Sequence, residues 1–321
     1  MVLRRYEVIR VFKDFSFEHT DRFIGAVDSY EAAQLVILGA PMDYTSSFRP
    51  GSRFGPERIR SVSRGLEEYS PRLEKELAEI PFFDAGDPAL PFGNVARSLE
   101  VIREAVGCII SDGKIPITLG GEHLVTLPVV QAVKAVYPDV VVLHFDAHAD
   151  LRGEYIGEGL SHATVMRRVA GVLGMGPSRP GAGVRAPRAP QRSSLFQFGI
   201  RSGTREEFAL GREMGSLIPG ELPGALVGRL SHLKNRPVYV TIDIDIVDPA
   251  FAPGTGAPEP CGISPRELFE SVWALAGLHI VGFDLVEVLP AYDCGEITSL
   301  LAAKLVREAI IATGLGLRCC G

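Results

Sequence analysis

The chain has 321 residues, 46% of them hydrophobic, which allows one large α/β domain or two smaller ones, each with a sizeable core. A formal charge of −6 gives no basic footprint, which excludes nucleic acid as an expected partner. Five cysteines (Cys108, Cys261, Cys294, Cys319 and Cys320) form no CxxC pair and no His-spaced zinc pattern, so a disulfide scaffold is excluded and a reducing cytosol expected.

In chain order, residues 1–33 are polar and mixed, and read as an N-terminal arm that covers a neighbour or a sheet edge. The basic start, Met1 to Tyr6, is not followed by an apolar h-region. No run approaches the ~18 apolar residues of a membrane span, so a cytoplasmic protein with no membrane association is expected. Leu35 to Gly39 reads as a buried strand. Tyr44 to Pro56 is a glycine- and proline-rich loop, and Pro56 suits the start of a helix. Residues 94–112 carry helical periodicity, and Ile115 to Leu119 is a short strand running into Gly120-Gly121-Glu122-His123. A helix is expected over Val125 to Val136. Asp139 to Leu143 then reads as a fully buried strand, because apolar β-branched residues fill it without alternation. Residues 171–192 hold four Pro, four Arg and five Gly, and read as a flexible surface insertion with solvated basic residues. Further strands are expected at Leu195 to Ile200, Val238 to Ile242 and His279 to Leu285, with helices between them, and a last helix over Ile297 to Thr313. Strands alternating with helices imply a parallel sheet covered on both faces, with ligands gathering at the carboxyl ends of the strands.

Four strand ends carry chemistry. Paired glycines at 120–121 permit a close backbone approach and leave His123 at the carboxyl edge. Asp146, His148 and Asp150 recur at every second position, a spacing that puts them on one side of an extended chain. Asp243 and Asp245 follow the next strand with the same spacing, and Glu287 follows the last. A lone histidine after a strand is usually structural, and DxD pairs are common in turns. Two histidines and four aspartates at equivalent ends of one sheet have no evident structural purpose, and buried carboxylates need a neutralising cation. Imidazole and carboxylate without thiolate disfavour a closed structural zinc site and suit Mn²⁺, Fe²⁺ or a similar ion. Six ligands exceed the needs of one open catalytic ion but serve two ions about 3.5–4 Å apart that share carboxylates and activate water, a metal-assisted hydrolysis.

The segments GGEH at 120–123, DAHAD at 146–150, SHAT at 161–164, DIDIVDPAFAPGTG at 243–256 and EVLPAYD at 287–293 resemble the ureohydrolase (arginase/agmatinase) family. RPGSRFGP at 49–56 brings the resemblance closest to its bacterial agmatinase branch. The resemblance implies a single ureohydrolase domain over 1–321, a three-layer α/β/α fold with a central parallel sheet, and trimers or hexamers. It implies two Mn²⁺ held by His123, Asp146, His148, Asp150, Asp243 and Asp245, with Asp150 also orienting the bridging hydroxide. It further implies that His162 shuttles a proton toward the leaving amine and that Glu287 grips the substrate guanidinium, a pairing that suits a planar cation. The implied reaction is hydrolysis of agmatine to putrescine and urea by that hydroxide, a step in polyamine biosynthesis.

Departures from the family pattern bear on the substrate. Ala149, Ala163, Ala257 and Cys261 replace more usual Thr or Ser, Gly or Ser, Thr, and Gly. Ala163 and Ala257 are expected near the substrate, and Cys261 as a packed small residue. Arg152 either meets a substrate carboxylate or is an exposed arginine paired with Glu154 or Glu158, while Asp43 and Glu158 are candidates for a distal amine. Aminopropylagmatine, guanidinobutyrate, arginine and formimidoylglutamate therefore stay open as substrates. A one-ion zinc deacetylase of similar topology fits poorly with six intact ligands, and a non-catalytic member fits poorly with an intact Glu287.

Overall fold

The computed structural model describes residues 15–18, 21–175 and 193–317. Seven strands form the central sheet: β1 (Leu35–Ala40), β2 (Phe82–Asp84), β3 (Ile115–Gly120), β4 (Val141–Phe145), β5 (Leu195–Phe198), β6 (Val238–Asp243) and β7 (Ile280–Val286). Their spatial order is β2-β1-β3-β7-β6-β4-β5, and every pairing is parallel. The longer helices are α1 (Gly55–Ser63), α2 (Val95–Ser111), α3 (Thr126–Val136), α4 (Val165–Val172), α5 (Arg205–Met214), α6 (Pro265–Ala274) and α7 (Ile297–Leu317).

The layering follows from the strand pleat. Leu35 and Ile37 enter the core that holds Ile59 of α1, Leu268 of α6 and Val306 of α7. Val36 and Leu38 enter the opposite core, with Ile102 of α2, Val129 of α3, Val169 of α4 and Leu210 of α5. Alternate residues of one strand thus feed two apolar layers, as a sheet buried on both faces requires. The expected three-layer α/β/α architecture is the observed one.

Helix ends obey local chemistry. Asn94 Oδ1 accepts from Arg97 N–H (3.1 Å) at the start of α2, and Thr204 and Ser264 form capping boxes with Glu207 and Glu267 at the starts of α5 and α6. At the sheet edge, Arg60 of α1 is fully buried, pairing with Asp84 (2.9 Å) and Asp87 (2.5 Å). Gly39 makes room for this triad, since a Cβ there would lie 1.7 Å from Asp87 Oδ1.

Several boundaries differ from expectation. β4 starts at Val141, where pairing with Val238 begins; Val140 N–H instead closes a turn on Tyr137 O (3.0 Å), and the strand runs on through His144 and Phe145. α7 continues to Leu317 and β5 stops at Phe198. Of residues 1–33, Phe17–Glu18 pairs antiparallel with Asp87–Pro88, and Phe23 is buried with its N–H on Asp84 (2.9 Å). Of the expected 171–192 insertion, residues 171–172 end α4, 173–175 follow it, and the rest lie outside the described residues. Among the described residues, no helix is long and apolar enough to cross a membrane.

Candidate functional site

The side chains singled out from the sequence converge at the carboxyl ends of β3, β7, β6 and β4, four neighbours at the centre of the sheet. His123, His148, Asp150, Asp243, Asp245, His162, Glu287 and Arg152 line one cavity of about 350 Å³, and Asp146 lies fully buried beneath it. That size suits a small-molecule ligand.

The loops that carry them are locked to one another. Gly121 lets the loop after β1 close on the end of β3: its N–H donates to Ala40 O (2.9 Å), and a Cβ would lie 2.1 Å from Met42 O. Asp243 Oδ1 accepts from Asp245 N–H (2.8 Å), while Asp245 Oδ1 accepts from Ala147 N–H (3.1 Å) and ties the β6 end to the β4 end. The segment 146–150 lies beyond the strand rather than within it, so alternation alone does not align its side chains. Asp150 turns back to the cluster through a left-handed backbone (φ 53°), and Glu287 adopts the same region (φ 63°). Such conformations in non-glycine residues are costly and concentrate at functional sites.

Two donor clusters share Asp146. In the first, His123 Nδ1 lies 3.0 Å from Asp146 Oδ2 and 3.4 Å from both Asp150 Oδ2 and Asp243 Oδ2. In the second, His148 Nδ1 lies 2.9 Å from Asp245 Oδ2 and 3.5 Å from Asp146 Oδ1. His123 Nδ1 is buried and makes no well-aligned hydrogen bond, whereas its Nε2 bonds Thr241 Oγ1 (3.0 Å). Three carboxylates around Nδ1 require either a proton on that nitrogen or a cation between them; with a cation there, the Nε2 proton can go to Thr241 and Nδ1 can turn a lone pair to the ion. This is the donor arrangement of a cation site. Among the described residues, His123, His144, Asp146 and Asp150 bring donor atoms together in one group and Asp146, His148 and Asp245 in a second, with Asp146 in both; Asp243 adjoins the first through its approach to His123 Nδ1.

The electrostatics agree. Burial and the neighbouring Asp146 charge push Asp150 well above the usual carboxylate range; burial and Asp245 do the same to Asp243, and burial and Asp146 raise Asp245. Burial opposes ionisation of Asp146 too, but His144 and hydrogen bonds from three histidines hold it well below that range. Burial disfavours a charged His123, yet Asp146 and Asp243 hold its proton well above the ordinary imidazole value. Carboxylates that raise one another in a shared apolar space are relieved by divalent cations.

The cavity wall adds the remaining groups. Glu287 Oε1 accepts from His123 N–H (2.8 Å), which leaves its other oxygen toward the cavity near Gly256. Burial, then the Asp243 charge, pushes its carboxyl well up. His162 opens a short 3-10 turn capped by Ser161; its ring sits edge-on to Tyr155 at 5.6 Å, with Nε2 3.3 Å from Ser47 Oγ. Burial lowers its pKa to about 4. Ala163 and Ala257 also lie on the wall, as expected.

Three expectations require correction. Arg152 pairs with Glu207 (Nε–Oε2 3.6 Å) and stacks over Tyr155 (4.9 Å), not with Glu154 or Glu158. Asp43 is buried and committed to Arg53 Nε (2.8 Å) and Gly51 N–H (2.7 Å), and Glu158 is exposed; neither lines the cavity. Cys261 is exposed rather than packed, and its φ of 64° accounts for the glycine usual there.

Sequence reading missed the groups that hold the site from behind: His144 on Asp146 Oδ2 (2.8 Å), Gln197 on His144, Thr241 on His123, and Thr45, whose Oγ1 donates to Glu122 (2.5 Å) and accepts from His162 N–H (3.0 Å). The available signal was a polar residue two places before a candidate ligand in an otherwise apolar strand, as at His144 and Thr241.

A sequence profile described as the Arginase family matches residues 33–312. An agmatinase of Halalkalibacterium halodurans is 49% identical over 292 residues, 90% of this chain and 95% of that protein. An agmatinase of Bacillus anthracis shows the same identity and coverage. Among solved structures, the agmatine ureohydrolase of Thermoplasma volcanium superposes with a TM-score of 0.80 at 34% identity, covering 94% of this chain and 97% of that one.

Proposed function

The chain belongs to the arginase family, and from that premise we propose that it is an agmatinase-type amidinohydrolase that cleaves agmatine to putrescine and urea. One observation carries the reading: His123 Nδ1 and His148 Nδ1 each face carboxylates that share Asp146, beside Glu287 in the same cavity. We assign His123, Asp146, His148, Asp150, Asp243 and Asp245 as ligands of two Mn²⁺, an ion suited to imidazole and carboxylate donors. When bound, two such cations acidify water and supply a nucleophile at neutral pH.

The protein's own groups do the rest. Glu287 takes the planar guanidinium on the oxygen that His123 N–H leaves free, which fixes the orientation of the central carbon. Asp150, turned into the cavity by its left-handed backbone, accepts a hydrogen bond from the attacking water and orients it. His162, neutral at pH 7, takes a proton at its imidazole and passes it to the alkyl nitrogen, so that the amine leaves and the carbon departs as urea. Ala163 and Ala257 keep the wall short and apolar where a polymethylene chain passes.

The reading extends to a cytoplasmic, self-associating trimer or hexamer in polyamine biosynthesis. It takes 1–321 as one ureohydrolase domain, with 1–33 an arm and 171–192 an insertion. Arg152 on the wall favours a second reading, a carboxylate-bearing guanidine such as 4-guanidinobutyrate. Urea release by the Mn²⁺-loaded protein on agmatine, aminopropylagmatine, arginine and 4-guanidinobutyrate, with formamide release from formimidoylglutamate, separates them. A preference for agmatine is expected; a preference for a carboxylate-bearing substrate overturns the assignment.

A further inference from the structure

One row of the central sheet is polar from strand to strand. Thr118 of β3, Asp284 of β7, Thr241 of β6, His144 of β4 and Gln197 of β5 stand side by side in register, all fully buried. A buried line of polar groups is costly unless each is engaged. At one end of the row, a chain of hydrogen bonds leads to the carboxylate that the two donor clusters share. Gln197 Nε2 donates to Ala149 O (2.8 Å) and to His144 Nδ1 (3.1 Å), while Gln197 Oε1 accepts from Ser216 Oγ (2.9 Å). The amide is thereby fixed in one orientation, and His144 Nδ1 must be an acceptor. The ring proton then sits on Nε2, which points at Asp146 Oδ2 (2.8 Å). Asp146 Oδ1 is held separately by His148 N–H (2.5 Å).

We propose that His144, locked in a single tautomer by Gln197, is a positioning residue that sets the plane of Asp146 and so lets one carboxylate serve both cation positions. The inference rests on the two-cation reading above. Without the Nε2–H donor, Asp146 Oδ2 turns toward whichever neighbour is nearest, and the shared geometry is lost for one cluster. Gln197 acts one step further back, by denying the ring its other tautomer.

The test is a calorimetric Mn²⁺ titration of the metal-stripped full-length chain, with electron paramagnetic resonance of the loaded protein to read coupling between paired ions. His144→Leu removes the donor and keeps bulk; His144→Gln sets an amide N–H near the former Nε2. The wild type is expected to bind two Mn²⁺ with a coupled signal. His144→Leu is expected to lose about 10–100-fold in affinity for at least one ion, together with the coupled signal, while His144→Gln stays within about threefold of wild type. Gln197→Leu removes the amide that fixes the ring, along with its bond to Ala149 O in the ligand loop, and is expected to shift in the same direction as His144→Leu; it carries the test if that variant fails to fold. The proposal is overturned if the leucine variants bind two Mn²⁺ as tightly as wild type with the same coupled signal, or if His144→Gln loses as much as His144→Leu. A wild type that binds no Mn²⁺ overturns the cation reading and this inference with it, an outcome distinct from either variant result.

Discussion

Glu287→Gln separates charge from shape at the proposed guanidinium grip. The side chain has one committed oxygen, since His123 N–H donates to Oε1 at 2.8 Å. That N–H accepts nothing in exchange, so the amide of the variant must keep its oxygen there and turn its NH₂ into the cavity. The guanidinium then meets two N–H donors where it had an anionic acceptor. A charge-assisted hydrogen bond is worth about 1.5–3 kcal/mol, and stranding one partner of a buried charge pair costs about 3–5 kcal/mol. The upper range applies because Glu287 is no more than partly exposed, among Gly256, Asp243 and His123. At 1.36 kcal/mol per decade, kcat/KM for agmatine is expected to fall about 10²–10⁴-fold. Steady-state urea release gives the two constants, with KM rising because the cation is no longer held and kcat falling because its carbon is no longer aimed. Mn²⁺ binding is expected to stay at two ions, since Glu287 lies outside the proposed ligand set. A variant within about fivefold of wild type in kcat/KM refutes the assignment of Glu287.

Asp245→Ala is expected to keep the fold, bind one Mn²⁺ instead of two and lose activity by orders of magnitude; two ions and normal turnover contradict the binuclear site. Arg60→Met strands Asp84 and Asp87 in an apolar edge, and is expected to lower the unfolding free energy by about 3–5 kcal/mol in denaturant titrations. His162 has a folded value of about 4 against an ordinary 6.5, so the unfolded chain takes up its proton first. Its contribution is therefore complete above about pH 6.5 and lost as pH falls toward 4. The stability of the metal-stripped wild type relative to His162→Asn is expected to drop by roughly 1–3 kcal/mol between pH 7 and pH 4, and a flat difference contradicts the burial of His162. Arg152→Ala removes a cation from the wall and is expected to raise the agmatine-to-guanidinobutyrate ratio of kcat/KM by about fivefold, since a part-exposed charge is worth about 1 kcal/mol.

The chemistry at the strand ends was legible because buried parallel strands are written as unbroken apolar runs, and carboxylates or histidines at their ends stand out against them. The positions of His123, Asp146, His148, Asp243, Asp245 and Glu287 about one cavity follow from that contrast. Asp150 was legible as a residue but not as a conformation: period-two alternation placed it on the right side, whereas its approach comes from a left-handed turn after the strand. The edge strand Phe82–Asp84 is three residues long, too short for a periodic signal. His144 has only a faint signal along the chain, its place two residues before Asp146; its meaning lies across the sheet, opposite Thr241 and Gln197. The Arg152–Glu207 and Thr45–Glu122 pairs join residues far apart in sequence, and no local rule pairs them.

The most direct measurement is the identity of the products when the Mn²⁺-loaded protein turns over agmatine in ¹⁸O-labelled water. Attack at a guanidinium carbon held by Glu287, with proton delivery to the alkyl nitrogen, predicts putrescine and urea in equal amounts, with one ¹⁸O in each urea and none in putrescine. Ammonia with carbamoylputrescine means that a terminal nitrogen leaves instead, and contradicts the proposed placement of the alkyl nitrogen beside His162.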